Sequence, residues 1–188
     1  MGMIDMSKLK LLPFVLYMFF SFCSGCGSPQ TGSPTVPEPV APLPTPKPIV
    51  PGNAPDFAGY SLSGPKIKLS DLQGRVVLLS FFASWCNPCM AALPDEKRLY
   101  ERVRSQGVLF EIVGVSLDHS EGDARGTVID KQIPWPVIWN AQNIAKVYRI
   151  ESIPTFVLID KAGDLAGRWT GGGHFEEIKM KIGVELLK

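Results

Sequence analysis

Residues 76–89 read VVLLSFFASWCNPC, and this stretch determines the fold expected for the chain. The apolar run over residues 76–83 is typical of a central strand that is buried on both faces. Cys86 and Cys89 follow it directly, and a helix is expected over residues 87–105. We therefore predict a buried strand that delivers two cysteines to the first turn of a helix.

Strand-like and helical patterns extend in both directions from this stretch and cover residues 52–188. Upstream, two short strand-like runs flank the turn Ser63-Gly64-Pro65 and predict an N-terminal β-hairpin. Downstream, the element order β–α–β–α–β–β–α predicts an α/β fold with a mixed central sheet flanked by helices. The elements expected after the first helix are strands at 108–116, 136–139, 155–160 and 165–170, and helices at 121–132, 141–148 and 175–186.

The Cys-X-X-Cys spacing fits either a redox dithiol or half of a zinc site. A zinc site needs two further ligands, and the mature chain expected after removal of a signal peptide offers only Cys26, His119 and His174, with no second pair at ligand spacing. No metal is therefore expected. The amides and the macrodipole at a helix N-terminus stabilise a thiolate, and Pro88 suits the first helical turn. A structural disulfide usually closes a longer loop, so a redox dithiol is the favoured interpretation.

The first 25 residues predict an export signal. Lys8 and Lys10 precede a short apolar run, residues 11–22, which is well below the ~20 residues that a membrane-spanning helix needs. Small residues then precede Cys26, as in a bacterial lipobox, although a cysteine replaces the leucine usual three residues earlier. We predict a lipoprotein signal peptide at 1–25 and lipid attachment at Cys26. The alternatives are ordinary cleavage, which would give a soluble secreted protein, and an uncleaved anchor; all three place the domain outside the cytoplasm. The lipoprotein prediction places it in the bacterial cell envelope, lipid-anchored and facing the periplasm or extracytoplasmic side.

Residues 26–51 are predicted to be a lipid-anchored, proline-rich linker. Nine of the 17 prolines lie between Pro29 and Pro51, and repeated X-Pro steps favour extended polyproline II. At ~3.1 Å per residue, such a spacer could reach roughly 70 Å. The linker would hold the domain near the surface of a membrane.

Several separated motifs occur in one order along residues 52–188. Together they resemble the TlpA/ResA-like thiol-disulfide oxidoreductases of the redoxin (AhpC/TSA) branch of the thioredoxin superfamily. The resemblance implies a thioredoxin fold for this domain, with the hairpin as an N-terminal extension. The motifs are APDF at 54–57, FFASWCNPC at 81–89, Pro94, VGVSLD at 113–118 and IPTFVLID at 153–160.

The resemblance also implies roles for the dithiol and its neighbours. Cys86 would attack a partner's disulfide, and Cys89 would release the resulting mixed disulfide. Pro154 matches the family's cis-proline, which faces the dithiol and helps to bind the partner's backbone; an ordinary trans proline is the alternative. The substrate groove is expected to include Trp85, Asn87, Pro88 and Ile153.

Two acidic residues that the family links to the resolving thiol are missing from their usual positions. Many members carry a glutamate three residues after the second cysteine, where this chain has Ala92. Thioredoxin has a buried aspartate in the preceding strand, where this chain has Ser80. We therefore expect Cys89 to lack an adjacent carboxylate and to depend on water or a partner group for deprotonation.

The family's chemistry implies reduction of disulfides in exported proteins, with apocytochrome c as one candidate and a membrane thiol transporter as the electron donor. A thiol-dependent peroxidase and a disulfide oxidase or isomerase are the alternatives. Ala83-Ser84-Trp85-Cys86 does not provide the peroxidase pattern Pro-X-X-X-Thr/Ser-X-X-Cys. Asn87-Pro88 keeps thioredoxin's proline and lacks the histidine of strong oxidants such as DsbA, so we predict a reductant.

The overall charge is nearly balanced, with 19 basic and 18 acidic side chains. Such a chain has no basic field for nucleic acid, so no nucleic-acid partner is expected. The protein is expected to act as a monomer without a cofactor and to contact the membrane through the lipid at Cys26.

Overall fold

The structure of the protein, a computed structural model, describes residues 53–188. The predicted signal peptide, the lipidated Cys26 and the proline-rich linker lie outside these residues and remain predictions. The strands are β1 (Ala58–Tyr60), β2 (Lys66–Lys68), β3 (Val76–Phe82), β4 (Phe110–Ser116), β5 (Val137–Ile138), β6 (Thr155–Ile159) and β7 (Leu165–Thr170). The helices are α1 (Asn87–Arg104), α2 (Glu121–Asp130), α3 (Gln142–Val147) and α4 (Phe175–Leu186), with a short 3-10 turn at Leu69–Leu72.

Strands β3 to β7 form one mixed sheet in the order β5-β4-β3-β6-β7. β3 pairs parallel with β4 and antiparallel with β6, and all of its residues are buried. A strand with hydrogen-bonded neighbours on both sides and helices on both faces favours apolar residues, which explains the run at residues 76–83, in which Ser80 is the polar exception. The α/β architecture predicted from the sequence is confirmed.

Alternate residues of β3 point to opposite faces of the sheet, and this alternation decides which side chains lie beneath the dithiol. Leu78 and Phe82 belong to the core cluster that includes Cys89 of α1 and the buried residues of α4. Ser80 lies between them on the same face. The opposite face packs against α3 and against Phe57, which precedes β1.

The predicted N-terminal hairpin is confirmed as an antiparallel pair of β1 and β2. It forms a separate two-stranded sheet, and a bridge from Ser61 to Ile138 connects it to β5. The Tyr148 hydroxyl donates a hydrogen bond to the Pro55 carbonyl at 2.7 Å and joins the chain before the hairpin to the end of α3.

The remaining elements occur where the sequence predicts them, with ends that differ by a few residues. The strand expected at 136–139 is reduced to Val137–Ile138 because only Gly114 and Val115 of β4 pair with it. Across residues 53–188, no helix is both long and apolar enough to cross a bilayer.

Candidate active site around Cys86 and Cys89

The two cysteines lie where β3 ends and α1 begins. Cys86 is the N-cap residue of α1, with extended backbone, and Pro88 occupies the first turn, where its missing N–H costs nothing. The two sulfurs form a disulfide. Cys86 is 5% exposed and Cys89 is 1% exposed. Cys86 is thus the more accessible of the two, although the predicted exposed sulfur is largely covered in the disulfide form.

The helix N-terminus acts directly on the sulfur of Cys86. The backbone N–H of Cys89 donates to Cys86 Sγ at 3.2 Å. The first N–H groups of a helix have no partner within the helix, and they carry the positive end of its dipole. When the disulfide is reduced, the same N–H can stabilise a thiolate on Cys86.

The loop before β6 reaches the disulfide from a distant part of the sequence. The peptide bond between Ile153 and Pro154 is cis, in agreement with the role that the family resemblance implies for Pro154. The carbonyl oxygen of Ile153 lies 3.7 Å from Cys86 Sγ. The N–H of Gly171 donates to the carbonyl of Pro154 at 2.8 Å and connects this loop to the end of β7.

The residues predicted to line a substrate groove surround Cys86. Trp85 is 60% exposed, which is unusual for a large aromatic side chain next to a buried disulfide. Asn87 and Pro88 are also exposed, and Ile153 is half-buried. These residues therefore lie beside Cys86 with at least part of each side chain accessible, and their role as a substrate groove remains a prediction.

Asp118 fixes the segment before Cys86, and the sequence analysis did not single it out. Its Oδ1 accepts hydrogen bonds from the backbone N–H of Ser84 at 2.9 Å and from the Ser84 hydroxyl at 2.7 Å. Its Oδ2 accepts from the Ser116 hydroxyl at 2.8 Å. The Asp118 side chain is buried. It therefore positions the turn that carries Trp85 and Cys86.

Glu96 is a buried acid on α1 that lies outside the family's acidic positions, and the expectation that Cys89 lacks an adjacent carboxylate remains a prediction. It lies on α1 two helical turns after Cys89 and is 1% exposed. Burial raises the pKa of Glu96 to about 8, and the nearby Ser80 hydroxyl lowers the pKa by a smaller amount. Neither Glu96 Oε2 nor Ser80 Oγ completes a hydrogen bond. The core beneath the dithiol thus contains an acid, at a position other than those the family resemblance indicated.

The glycine-rich segment before α4 packs against α1 beside the dithiol. A Cβ atom on Gly172 would lie 3.5 Å from Cβ of Ala92 and 3.7 Å from the carbonyl oxygen of Pro88. Ala92 is itself buried. The glycine segment therefore lies against Ala92, the position at which many family members carry a glutamate.

The two histidines named as candidate zinc ligands, His119 and His174, lie outside the helices and strands. His119 is exposed, and His174 lies 3.6 Å from Glu177, measured from Nδ1 to Oε2. Trp135 is a core residue in edge-to-face contact with Tyr100. Among residues 53–188, no group of three or more His, Cys, Asp and Glu side chains is arranged to hold a metal ion.

The disulfide lies at the start of the helix that follows the central strand, and a cis-proline loop lies beside it. This arrangement places the domain among thioredoxin-fold proteins with a redox-active dithiol. The sequence of residues 50–168 matches the protein family described as "AhpC/TSA family". The chain belongs to the AhpC/TSA family, as its motifs implied.

Known proteins similar to this chain carry the names of thiol-disulfide oxidoreductases and of a thioredoxin-like protein. The thiol-disulfide oxidoreductase ResA of Bacillus cereus is 33% identical over 127 residues, which cover 67% of this chain and 72% of the relative. The thioredoxin-like protein YneN of Bacillus subtilis is 28% identical over 132 residues, which cover 70% and 78%. A solved thiol-disulfide oxidoreductase from Bacteroides fragilis is 27% identical, with a TM-score of 0.61, over 69% of this chain and 97% of that chain. The protein is a thiol-disulfide oxidoreductase.

Proposed function

We propose that the protein reduces disulfide bonds of exported proteins on the outer side of the cytoplasmic membrane. The observation that carries this proposal is the asymmetry of the dithiol. Cys86 is the more accessible sulfur and receives the helix N-terminal N–H, whereas Cys89 lies deeper in the core. A stabilised, accessible thiolate is the form that attacks a partner's disulfide.

The proposed reaction begins with the reduced domain. The Cys86 thiolate attacks one sulfur of the partner's disulfide, and the other sulfur leaves as a thiolate. Cys89 then loses its proton and attacks Cys86 Sγ, which releases the partner's second thiolate. Two electrons pass to the partner, and the domain is left with the Cys86–Cys89 disulfide that the structure contains. A membrane thiol transporter would supply two electrons to restore the dithiol.

The surface around Cys86 supports a polypeptide as the substrate. The exposed indole of Trp85 offers a large apolar contact beside the sulfur, and the Ile153 loop approaches Cys86 from the other side. An unfolded exported chain could place its disulfide between them, and apocytochrome c is one candidate.

Replacing Cys89 with alanine should trap the substrate. The Cys89→Ala variant, produced in the native host, should accumulate mixed disulfides through Cys86, because the resolving thiol is gone. Mass spectrometry of the captured partners would identify them, and exported disulfide-bearing proteins are the expected result. Reduction of a model protein disulfide should fall at least ~100-fold in Cys86→Ala, which lacks the nucleophile.

The matched control is the Cys86→Ala/Cys89→Ala double variant, which should capture nothing. Partners captured by Cys86→Ala instead would show that Cys89 is the attacking thiol. A peroxide-dependent sulfenate on Cys86 without captured proteins would favour the peroxidase alternative.

We also propose that lipid at Cys26 holds the domain at the membrane surface, on the basis of the signal-like N-terminus. The Cys26→Ser variant should move from the membrane fraction to the soluble fraction of the envelope, because a lipid anchor contributes ~0.8 kcal/mol of binding per buried CH₂ group. Cell fractionation, with mass measurement of the mature N-terminus, tests this. A variant that stays in the membrane fraction would indicate an uncleaved anchor instead.

A further inference from the structure

The reaction described above leaves open where the proton of Cys89 goes, and Glu96 provides a buried carboxyl group on the same helix. Seven residues separate Cys89 from Glu96, which is almost two full turns of an α-helix, so both side chains lie on one face of α1. That face is buried, and Ala92 and Leu93 lie between them on it.

The Glu96 side chain extends from α1 in the direction of Cys89. Side chains on a helix lean toward its N-terminus, so the Glu96 side chain leans back over the turn that contains Ala92 and Leu93. The Ser80 hydroxyl of β3 is close enough to the carboxyl group to lower its pKa. Across the interface, β3 presents the Ser80 hydroxyl on the same face of the sheet.

The surroundings of Glu96 contain no compensating charge. The Ser80 hydroxyl and burial are the influences on its pKa, with no nearby cation among them. The facing elements contribute apolar side chains: Leu78 and Phe82 from β3, Phe156 and Leu158 from β6, and Ile178 and Ile182 from α4.

Two other titratable groups are buried on this face of α1, Tyr100 and Cys89. The Tyr100 hydroxyl is occupied elsewhere, because it donates to Glu111 at 2.9 Å and accepts from Arg104 at 2.6 Å. Cys89 is therefore the other buried titratable side chain on this face of α1 whose proton has no assigned partner among the described residues.

We propose that Glu96 is the proton reservoir of Cys89. When Cys89 attacks the mixed disulfide, its S–H bond breaks and the sulfur–sulfur bond to Cys86 forms. The bond between Cys86 and the partner breaks, its electron pair leaves with the partner's sulfur, and the proton moves to the Glu96 carboxylate. In the reverse direction, a donor thiolate attacks Cys86, Cys89 leaves as a thiolate, and neutral Glu96 returns the proton.

This inference rests on the proposed role of Cys89 as the resolving thiol. Ser80 would act as a positioning residue for the Glu96 carboxyl group, because its hydroxyl is the group of the sheet that lowers the pKa of Glu96. Glu96 is neutral below about pH 8, so the oxidised protein holds the proton in the core at neutral pH.

The first test measures the resolution step in the full chain. A chromophoric aromatic disulfide forms an adduct on Cys86, and the attack of Cys89 then releases the second chromophore. The wild-type release rate should rise with pH through an inflection near pH 8, as Glu96 becomes a base. Glu96→Gln should lack this inflection and release the chromophore at least ~10-fold more slowly at pH 8, since a positioned base contributes typically 10²-fold or more. The rate of the first attack by Cys86 should be unchanged.

Glu101→Gln is the matched control, because it removes an exposed carboxyl group from the same helix. Ser80→Ala provides a second variant if Glu96→Gln folds poorly. Ser80 lowers the pKa of Glu96, so its loss should move the inflection to higher pH. A Glu96→Gln profile that matches the wild type, or an equal slowing of both steps, would overturn the proposal.

Infrared difference spectra separate this inference from the assignment of the cysteines. In the reduced protein, the protonated-carboxyl band of Glu96 should disappear with an inflection near pH 8 in the wild type and in Glu101→Gln, and Glu96→Gln should show no such change. A wild-type spectrum without this change would refute the reservoir. If Cys89→Ala fails to form the adduct while Cys86→Ala forms it, the proposed roles of the cysteines are reversed, and the infrared result still decides whether Glu96 exchanges a proton.

Discussion

Replacing Glu96 with glutamine should stabilise the oxidised domain at pH 9 by on the order of 5 kcal/mol and leave its stability at pH 4 nearly unchanged. The pKa of Glu96 is raised from 4.5 to about 8 by burial. Each unit of difference between folded and unfolded pKa corresponds to ~1.4 kcal/mol. Glutamine has almost the same shape and cannot ionise, so it avoids the cost of a buried charge.

The direction of this effect follows from proton binding. Between pH 4.5 and about pH 8, Glu96 is protonated in the folded domain and ionised in the unfolded chain. The folded state then binds more protons, so the free energy of unfolding decreases as the pH rises, by up to ~1.4 kcal/mol per pH unit from this group. The contribution is fully present below pH 4.5 and lost above about pH 8.

Denaturant unfolding of the oxidised protein at several pH values tests this prediction. The difference in the free energy of unfolding between Glu96→Gln and wild type should grow with pH, whereas Glu101→Gln should follow the wild type. Glu185 has a pKa below its usual range because Lys188 bonds to it, but both variants retain this carboxyl group and its effect cancels in the comparison. Parallel curves for Glu96→Gln and wild type would mean that Glu96 is already ionised in the folded domain.

The fold and the dithiol could be predicted because their signals are local. The apolar run of β3, the turn between β1 and β2 and the cysteines at the start of α1 each lie within a few consecutive residues. The cis bond at Pro154 could be expected only from the family resemblance, since nothing in the neighbouring residues requires it.

The burial of Glu96 could have been predicted from the helical pattern of α1. A comparison restricted to the family's acidic positions does not reveal it. Residues recurring every three or four positions form one face of a helix, and on α1 that face is otherwise apolar. A glutamate inside such a stripe is either paired or has a shifted pKa. The buried positions of the stripe are Cys89, Ala92, Leu93, Glu96, Leu99, Tyr100 and Val103.

The role of Asp118 could not be read from the sequence, because it depends on which strands are neighbours. β3 and β4 pair parallel with Phe82 opposite Ser116. Two residues further along each chain, the same register brings Ser84 and Asp118 together, 34 positions apart in sequence. The order of elements along the chain does not determine that β3 and β4 are neighbours in the sheet. This contact could therefore be identified only once the order of strands in the sheet was known.

Replacing Asp118 with alanine should destabilise the domain by about 3 kcal/mol, since unpaired buried polar groups cost ~1–3 kcal/mol each. The substitution removes the acceptor of the Ser84 N–H and of the hydroxyls of Ser84 and Ser116. Ser84 lies two residues before Cys86, so the turn that positions the attacking sulfur loses its anchor. Attack by Cys86 on a model disulfide should slow by ~10-fold or more, because small displacements of a reacting group are costly.

Thermal and denaturant unfolding, together with the rate of adduct formation on Cys86, would test this prediction. Asp118→Asn keeps one side-chain carbonyl acceptor and should lose less stability than Asp118→Ala. His119→Ala removes the adjacent exposed side chain and should stay within ~0.5 kcal/mol of the wild type. If Asp118→Ala loses stability but attacks at the wild-type rate, Asp118 supports the fold alone. If Asp118→Ala loses both stability and the rate of attack by Cys86, the carboxyl group at the end of β4 positions Cys86 through Ser84.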